Sequence, residues 1–238
     1  MASRIRNAWP GHAGLLVLAF AFWGCADSTP RPTQPAAEPG FVADSPANVV
    51  RLFEWALEHR DLERLIGLFT DDFLFGCAVT DSAGNAFRGN TLTRADEIEC
   101  IRHLLVGGGI RPPASSISLQ FDQNLIAQPD TRPGKDPVTH QEIVTTMVLR
   151  FATSEEDFQV TGVARFFLVR GDAAVFPAEL ADRGAIPDPG LWYIERWEDE
   201  TVGSAGATAR VSDDRQASSL QAQPAKMTTW CSIKALYR

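Results

Sequence analysis

The chain has 238 residues, 45% hydrophobic and 22% charged, and a formal net charge of −8 at pH 7. That is enough apolar material for one ordinary core, and the acidic balance argues against binding nucleic acid by charge. The four cysteines show no CxxC spacing and no accompanying histidine cluster, so the sequence offers no metal site, and no cofactor fingerprint is present.

Taken in chain order, Arg4 and Arg6 lead into the apolar run Leu15–Trp23 and then Gly24-Cys25. A bilayer-spanning helix needs about 20 apolar residues, and this run is nine long. It reads as an export segment, residues 1–24, of the bacterial lipoprotein kind, with Cys25 lipidated at the mature N-terminus. The expected location is the cell envelope, held to a membrane by lipid and facing the periplasm. Ordinary secretion with an unmodified Cys25 is the alternative. Loss of Arg4 and Arg6 would take the net charge from −8 to −10. Residues 25–45 are rich in proline and poor in bulky apolar groups, as a tether would be.

Residues 46–201 carry the periodic segments. Ser45 followed by Pro46 is a helix start, and Val49, Val50, Phe53, Ala56 and Leu57 recur at helical spacing up to His59-Arg60. Asp61 caps a second, shorter stripe of Leu62, Leu65, Ile66 and Phe69, which Thr70-Asp71-Asp72 breaks. A strand over Phe73–Val79 follows, then a turn at Asp81–Asn85 and a return through Ala86–Arg88. Thr93-Arg-Ala-Asp96 has the form of a capping box opening a third helix, which Gly107-Gly108-Gly109 ends.

Beyond that point the hydrophobic period changes to two. Ile117, Leu119 and Phe121 alternate with polar residues, and further strands are expected over 142–152, 158–170 and 191–200. The proline-bearing stretch Gly171–Gly190 is a long connection of the kind that carries function or is loosely ordered. Residues 202–225 read as a flexible linker. Residues 226–238 turn apolar again at Trp230, Ile233, Leu236 and Tyr237, so this segment is expected to dock on the domain or on a partner. Helices first and strands afterwards indicate an α+β fold, with three N-terminal helices packed on a curved, mostly antiparallel sheet. Of Cys77, Cys100 and Cys231, one pair could close in an oxidising compartment, or all three could be small buried residues; spacing does not choose.

The run Ser45–Phe73, two helices entering a first strand, together with the closing strand Leu191–Asp199, resembles the nuclear-transport-factor-2-like cone fold in its SnoaL-like bacterial branch. The resemblance implies an apolar pocket between sheet and helices and leaves homodimerisation open. It also implies either a non-catalytic binding or dimerisation domain or an isomerase, cyclase or dehydratase with an acid/base residue in the concave pocket. The tyrosine, carboxylate base and protonated acid that isomerase-type members need do not map onto this chain, whose only tyrosines are Tyr193 and Tyr237.

Arg150, Arg165 and Arg196 lie on expected strands and would bind a carboxylate or phosphate if they converged on the concave side. A solvated or salt-bridged sheet face with Glu195 and Glu198 is the competing reading. Trp192 and Tyr193 are candidate walls for a small hydrophobic ligand. Asp72, beside Asp71, and His103 are the candidates for acid/base work. Turn formation and backbone capping are the preferred reading of the aspartates, and an exposed helical pair with Glu99 that of the histidine.

Overall fold

The N-terminal helices form where local capping chemistry directs them. In the computed structural model, which describes residues 38–77, 91–200 and 225–238, Ser45 caps helix α1 (Pro46–Glu58), its hydroxyl accepting the Asn48 N–H at 3.3 Å. Arg60, at φ 58°, reverses the chain. The Asp61 carboxylate then accepts the Arg64 N–H at 2.9 Å and opens the short helix α2 (Leu62–Ile66).

Strand β1 (Phe69–Cys77) follows, then β2 (Thr91–Thr93), whose last residue begins helix α3 (Arg94–Leu105) through a complete capping box with Asp96. Gly107 and Gly108 sit at φ 96° and 98°, a region open to glycine and strained for other residues, and they turn the chain out of α3. The strands β3 (Ser116–Phe121), β4 (Ala127–Pro129), β5 (His140–Ala152) and β6 (Asp157–Arg170) come next. After them run α4 (Ala178–Asp182), β7 (Trp192–Asp199), β8 (Lys226–Thr228) and the terminal helix α5 (Trp230–Tyr237).

These strands form one sheet in the order β2-β1-β7-β6-β5-β3. Every neighbouring pair in that order is antiparallel except β1 with β7. Register irregularities at Phe69/Leu74 and Phe167/Leu168 allow the strands to bend. β4 extends the β3 edge of β5, and β8 pairs in parallel with Phe158–Val160, the part of β6 that β7 leaves open. The result is an α+β fold in which helices cover one face of a curved, mostly antiparallel sheet.

Even-numbered residues of β6 (Phe158, Val160, Ala164, Phe166, Leu168) and odd-numbered residues of β5 (Ile143, Met147, Leu149, Phe151) turn toward the helices and are buried. The period-two alternation of the sequence is thus the difference between core and outer face.

Two differences from the sequence reading concern boundaries. Thr70-Asp71-Asp72 does not break a helix but lies inside β1, which starts at Phe69. The irregularity there lets two successive aspartates face solvent, which a regular strand would forbid. β2, β4, α4 and β8 are three to five residues long, too short to show a period. The expected turn at Asp81–Asn85 and its return, the export segment with Cys25, most of the tether and nearly all of the linker lie outside the described residues.

α5 is seated in the core. Trp230, Cys231, Ile233 and Tyr237 are buried, Trp230 stacks on Trp197 of β7 at 5.7 Å between centroids, and a disulfide joins Cys231 to Cys77 at the end of β1. The Tyr237 hydroxyl donates to the Pro112 carbonyl at 3.0 Å. Each large apolar side chain so buried contributes about 1.5–3 kcal/mol. The disulfide closes a loop of 154 residues, for which chain-entropy accounting gives about 5 kcal/mol of stabilisation. Cys231→Ala should therefore lower the unfolding free energy by several kcal/mol in denaturant titration, and reducing agent should have the same effect on the wild type and none on the variant.

Candidate functional site

The concave face is where the resemblance places a pocket, and among the described residues aromatic rings and α5 pack into it. Phe53 of α1 meets Trp197 edge-on at 5.2 Å, Phe75 meets the same indole at 5.1 Å, and Phe166 stacks on it at 5.5 Å. α5 closes the remaining space with Trp230 and with Lys234, whose side chain is 1% exposed. Lys234 Nζ donates to the carboxylate of Glu97 on α3, which is fully buried. The same Nζ lies over three rings, 3.8 Å from the centroid of Phe75, 4.9 Å from Trp197 and 5.0 Å from Trp230. Burial raises the Glu97 pKa against the pull of Lys234, and burial lowers that of Lys234 against the pull of Glu97. Glu97 Oε1, Trp197 Nε1 and Trp230 Nε1 are buried without a hydrogen-bond partner. Beside them Cys100 is a free thiol, which burial pushes up to about 11, so it is not a nucleophile near neutrality.

A groove of about 530 Å³ runs between the segment leading into α1, the α1–α2 corner, α4 and the start of β7. Leu52, Leu68, Leu180 of α4, Leu191 and Trp192 give it an apolar lining. The Trp192 N–H donates to the Ala43 carbonyl at 2.8 Å, which fixes the N-terminal segment along the groove. Tyr193 also lines it, its ring lying so close to Gly171 that a Cβ there would come within 2.5 Å of it. Burial, with a contribution from Asp188, raises the Tyr193 phenol pKa.

The rim is charged. Arg64 pairs with Glu38 at 2.6 Å and with the α2-capping Asp61 at 3.3 Å, and Arg183 pairs with Glu63. Behind the groove, Arg94 joins α3 to α4 through Glu179 at 2.6 Å and to the Ile66 carbonyl at 2.9 Å.

Of the residues singled out from sequence, Trp192 and Tyr193 reach this groove. The three arginines do not converge. Odd positions of β6 and even positions of β5 face away from the helices, so Arg150 and Arg165 point to the outer side, and Arg196 stands opposite outward-facing Phe167. Arg150 donates to Gln159 at 3.0 Å beside a smaller cleft of about 250 Å³. Arg165 bonds Glu200 at 3.1 Å and Glu142 at 3.3 Å, and Arg196 bonds Glu198 at 2.7 Å. Arg165 and Arg196 thus belong to a salt-bridged outer face, and Arg150 is hydrogen-bonded on the same side.

Asp72 is exposed on β1. Asp71 accepts the Ala178 N–H at 3.3 Å and so helps hold α4. His103 is not an exposed partner of Glu99 alone. Its side chain is 12% exposed, and its Nδ1–H donates to the Tyr237 carbonyl at 2.8 Å, pinning the end of α5 to α3. Among the described residues no group of three or more His, Cys, Asp or Glu side chains is placed to hold a metal ion, and no helix is long and apolar enough to cross a membrane.

No protein-family model matches the chain, and no curated protein does. Solved structures resemble it. It is similar to a nuclear transport factor 2-like superfamily protein of Salmonella enterica, at 10% identity over 68% of this chain and 92% of that one, TM-score 0.44. A nuclear-transport-factor-2-like protein of unknown function in nutrient uptake from Rhodospirillum rubrum is 16% identical over 64% and 93% of the two chains, TM-score 0.40. A hexachlorocyclohexane dehydrochlorinase from Novosphingobium barchaimii is 9% identical over 64% and 80%, TM-score 0.41. No activity is carried over from these.

Glu97 and Lys234 escaped the sequence reading because charged residues in helices are ordinarily solvated. The signal was spacing: Lys234 follows Trp230 by four and precedes Tyr237 by three, inside the apolar stripe, and Glu97 precedes Ile101 by four. A second network was also missed. Arg132 bonds Asp130 at 2.6 Å and Glu195 at 2.6 Å, lies 3.9 Å from the Phe167 ring centroid, and shares Glu195 with Lys135. Burial opposes ionisation of Asp130 and Glu195, yet hydrogen bonds from Arg132 to both and from Lys135 to Glu195 hold both pKa values below their ordinary range. A carboxylate depressed in the folded state adds stability above its unfolded pKa and loses it as pH falls toward the folded value. The melting temperature should therefore fall as pH drops below about 4.5, and Arg132→Ala should flatten that acid limb while lowering stability at pH 7.

Proposed function

We propose that the protein is a SnoaL-like binding domain, tethered to an envelope membrane through Cys25, that takes a small apolar or weakly anionic ligand in the open groove without transforming it. The observation that carries this reading is that the protein's own α5 occupies the concave interior, where a catalytic pocket would lie, while the groove at the α1–α2 corner stays open. A volume of about 530 Å³ falls within the usual range for small-molecule sites, about 300–1,000 Å³.

The rim carboxylates are engaged in a helix cap and in ion pairs, which suits structure better than proton transfer. Arg64 and Arg183 sit in exposed pairs, which hold weakly and can re-pair with an anionic head group. The Cys77–Cys231 disulfide supports the export half of the proposal, because such bonds persist in oxidising compartments.

Anilinonaphthalene sulfonate, an apolar anion, should bind the folded protein at one site with enhanced emission. Leu180→Glu should weaken that binding about tenfold by placing charge on the apolar wall, with the melting temperature held within a few degrees. Unchanged binding in that variant would remove the groove from consideration. For the anchor, mass spectrometry of the membrane fraction should find an N-terminus at a lipid-modified Cys25. A chain that retains residues 1–24 with an unmodified cysteine would overturn that part alone.

A further inference from the structure

We infer that the cone interior is a binding site for an alkylammonium group, and that the chain fills this site with Lys234 of its own C-terminal helix. The site is separate from the groove and does not depend on its role.

A primary ammonium needs a counter-ion, faces of electron-rich rings and room for an aliphatic stem. All three are present. Glu97 supplies the anion from α3, Phe75 of β1 and Trp197 of β7 present their faces at 3.8 and 4.9 Å, and the Lys234 stem fills the approach. Of the groups around the ammonium only Trp230, at 5.0 Å, belongs to α5; Glu97, Phe75 and Trp197 form a receptor into which the helix inserts its ammonium as a ligand would. A core that merely needed filling would take a leucine or methionine here. Burying two charges carries a desolvation cost that an apolar side chain avoids, so the choice of lysine indicates a receptor selective for positive charge.

The interior also holds buried polar groups without a hydrogen-bond partner. Glu97 Oε1 and Trp197 Nε1 belong to side chains 0% and 1% exposed, and neither has a hydrogen-bond partner. An acceptor and a donor left over beside a bound ammonium fit a guest with more polar contacts than the lysine provides. The disulfide to Cys77 explains why Lys234 holds the place. A covalent tether keeps α5 at high effective concentration, which a free amine in dilute solution does not match.

Lys234→Ala in the full chain, with the disulfide intact, deletes three carbons and the ammonium, the equivalent of one propylammonium ion. The variant should melt below the wild type. Propylammonium chloride should restore its melting temperature by about 5 °C when far above its dissociation constant. Propanol at equal concentration should not, and adding Glu97→Gln should weaken the rescue at least tenfold. Rescue by propanol equal to that by propylammonium, or a folded variant that neither stabilises, overturns the proposal.

If Lys234→Ala does not fold, the wild-type chain decides. With the disulfide reduced by a dithiol, butylammonium should compete with Lys234 and speed amide hydrogen exchange across residues 230–237 several-fold over butanol. Equal exchange in the two additives overturns the proposal.

Discussion

An ammonium and a carboxylate meet in the buried interior of this molecule, and the arrangement around them sets what the rest of the fold can do. Lys234 and Glu97 are nearly inaccessible to water, so each is tolerable only beside the other. The pairing requires α5 to lie across α3 at one position along its axis, which in turn sets Trp230 against Trp197 and brings the Tyr237 carbonyl to His103. Apolar contact alone would supply most of the adhesion of α5. The charges add directionality, because a helix displaced by a turn would bury both ions unpaired.

The exterior of the sheet is charged by contrast. Its outer face carries alternating charges joined into pairs, and the loop around Arg132 folds over Phe167 to neutralise Glu195. The groove at the α1–α2 corner differs from both regions. Its walls are apolar like the interior, its rim is charged like the outer face, and its far side is built from α4, in the long connection between β6 and β7.

Much of this architecture was legible in the sequence. Ser45-Pro46, Asp61 and the Thr93–Asp96 box are local hydrogen-bonding signals that need no tertiary information, and each starts the helix it announces. The change of period after Gly109 likewise gave the long strands. What could not be read depends on partners distant in the chain. Whether Arg150, Arg165 and Arg196 converge is a matter of which strand face is concave, and alternation within one strand cannot decide it. Cys77 finds Cys231 across 154 residues. The groove unites residues from four separate segments, and of the candidates only Trp192 and Tyr193, adjacent on β7, lie in it.

The long reach of that disulfide bears on how the chain matures as it emerges N-terminus first. Cys77 and Cys100 precede Cys231 by 154 and 131 residues. During that interval the two early cysteines are each other's nearest partners in sequence, and a bond between them would block the native one. In the folded chain helix α3 carries Cys100 on its buried face beside Ile101 and Leu104. The Cys100 thiol donates to the Lys234 carbonyl at 3.7 Å, so the helix that carries Cys231 also completes the cover over the competing thiol, and native pairing and shielding of the wrong partner are one event.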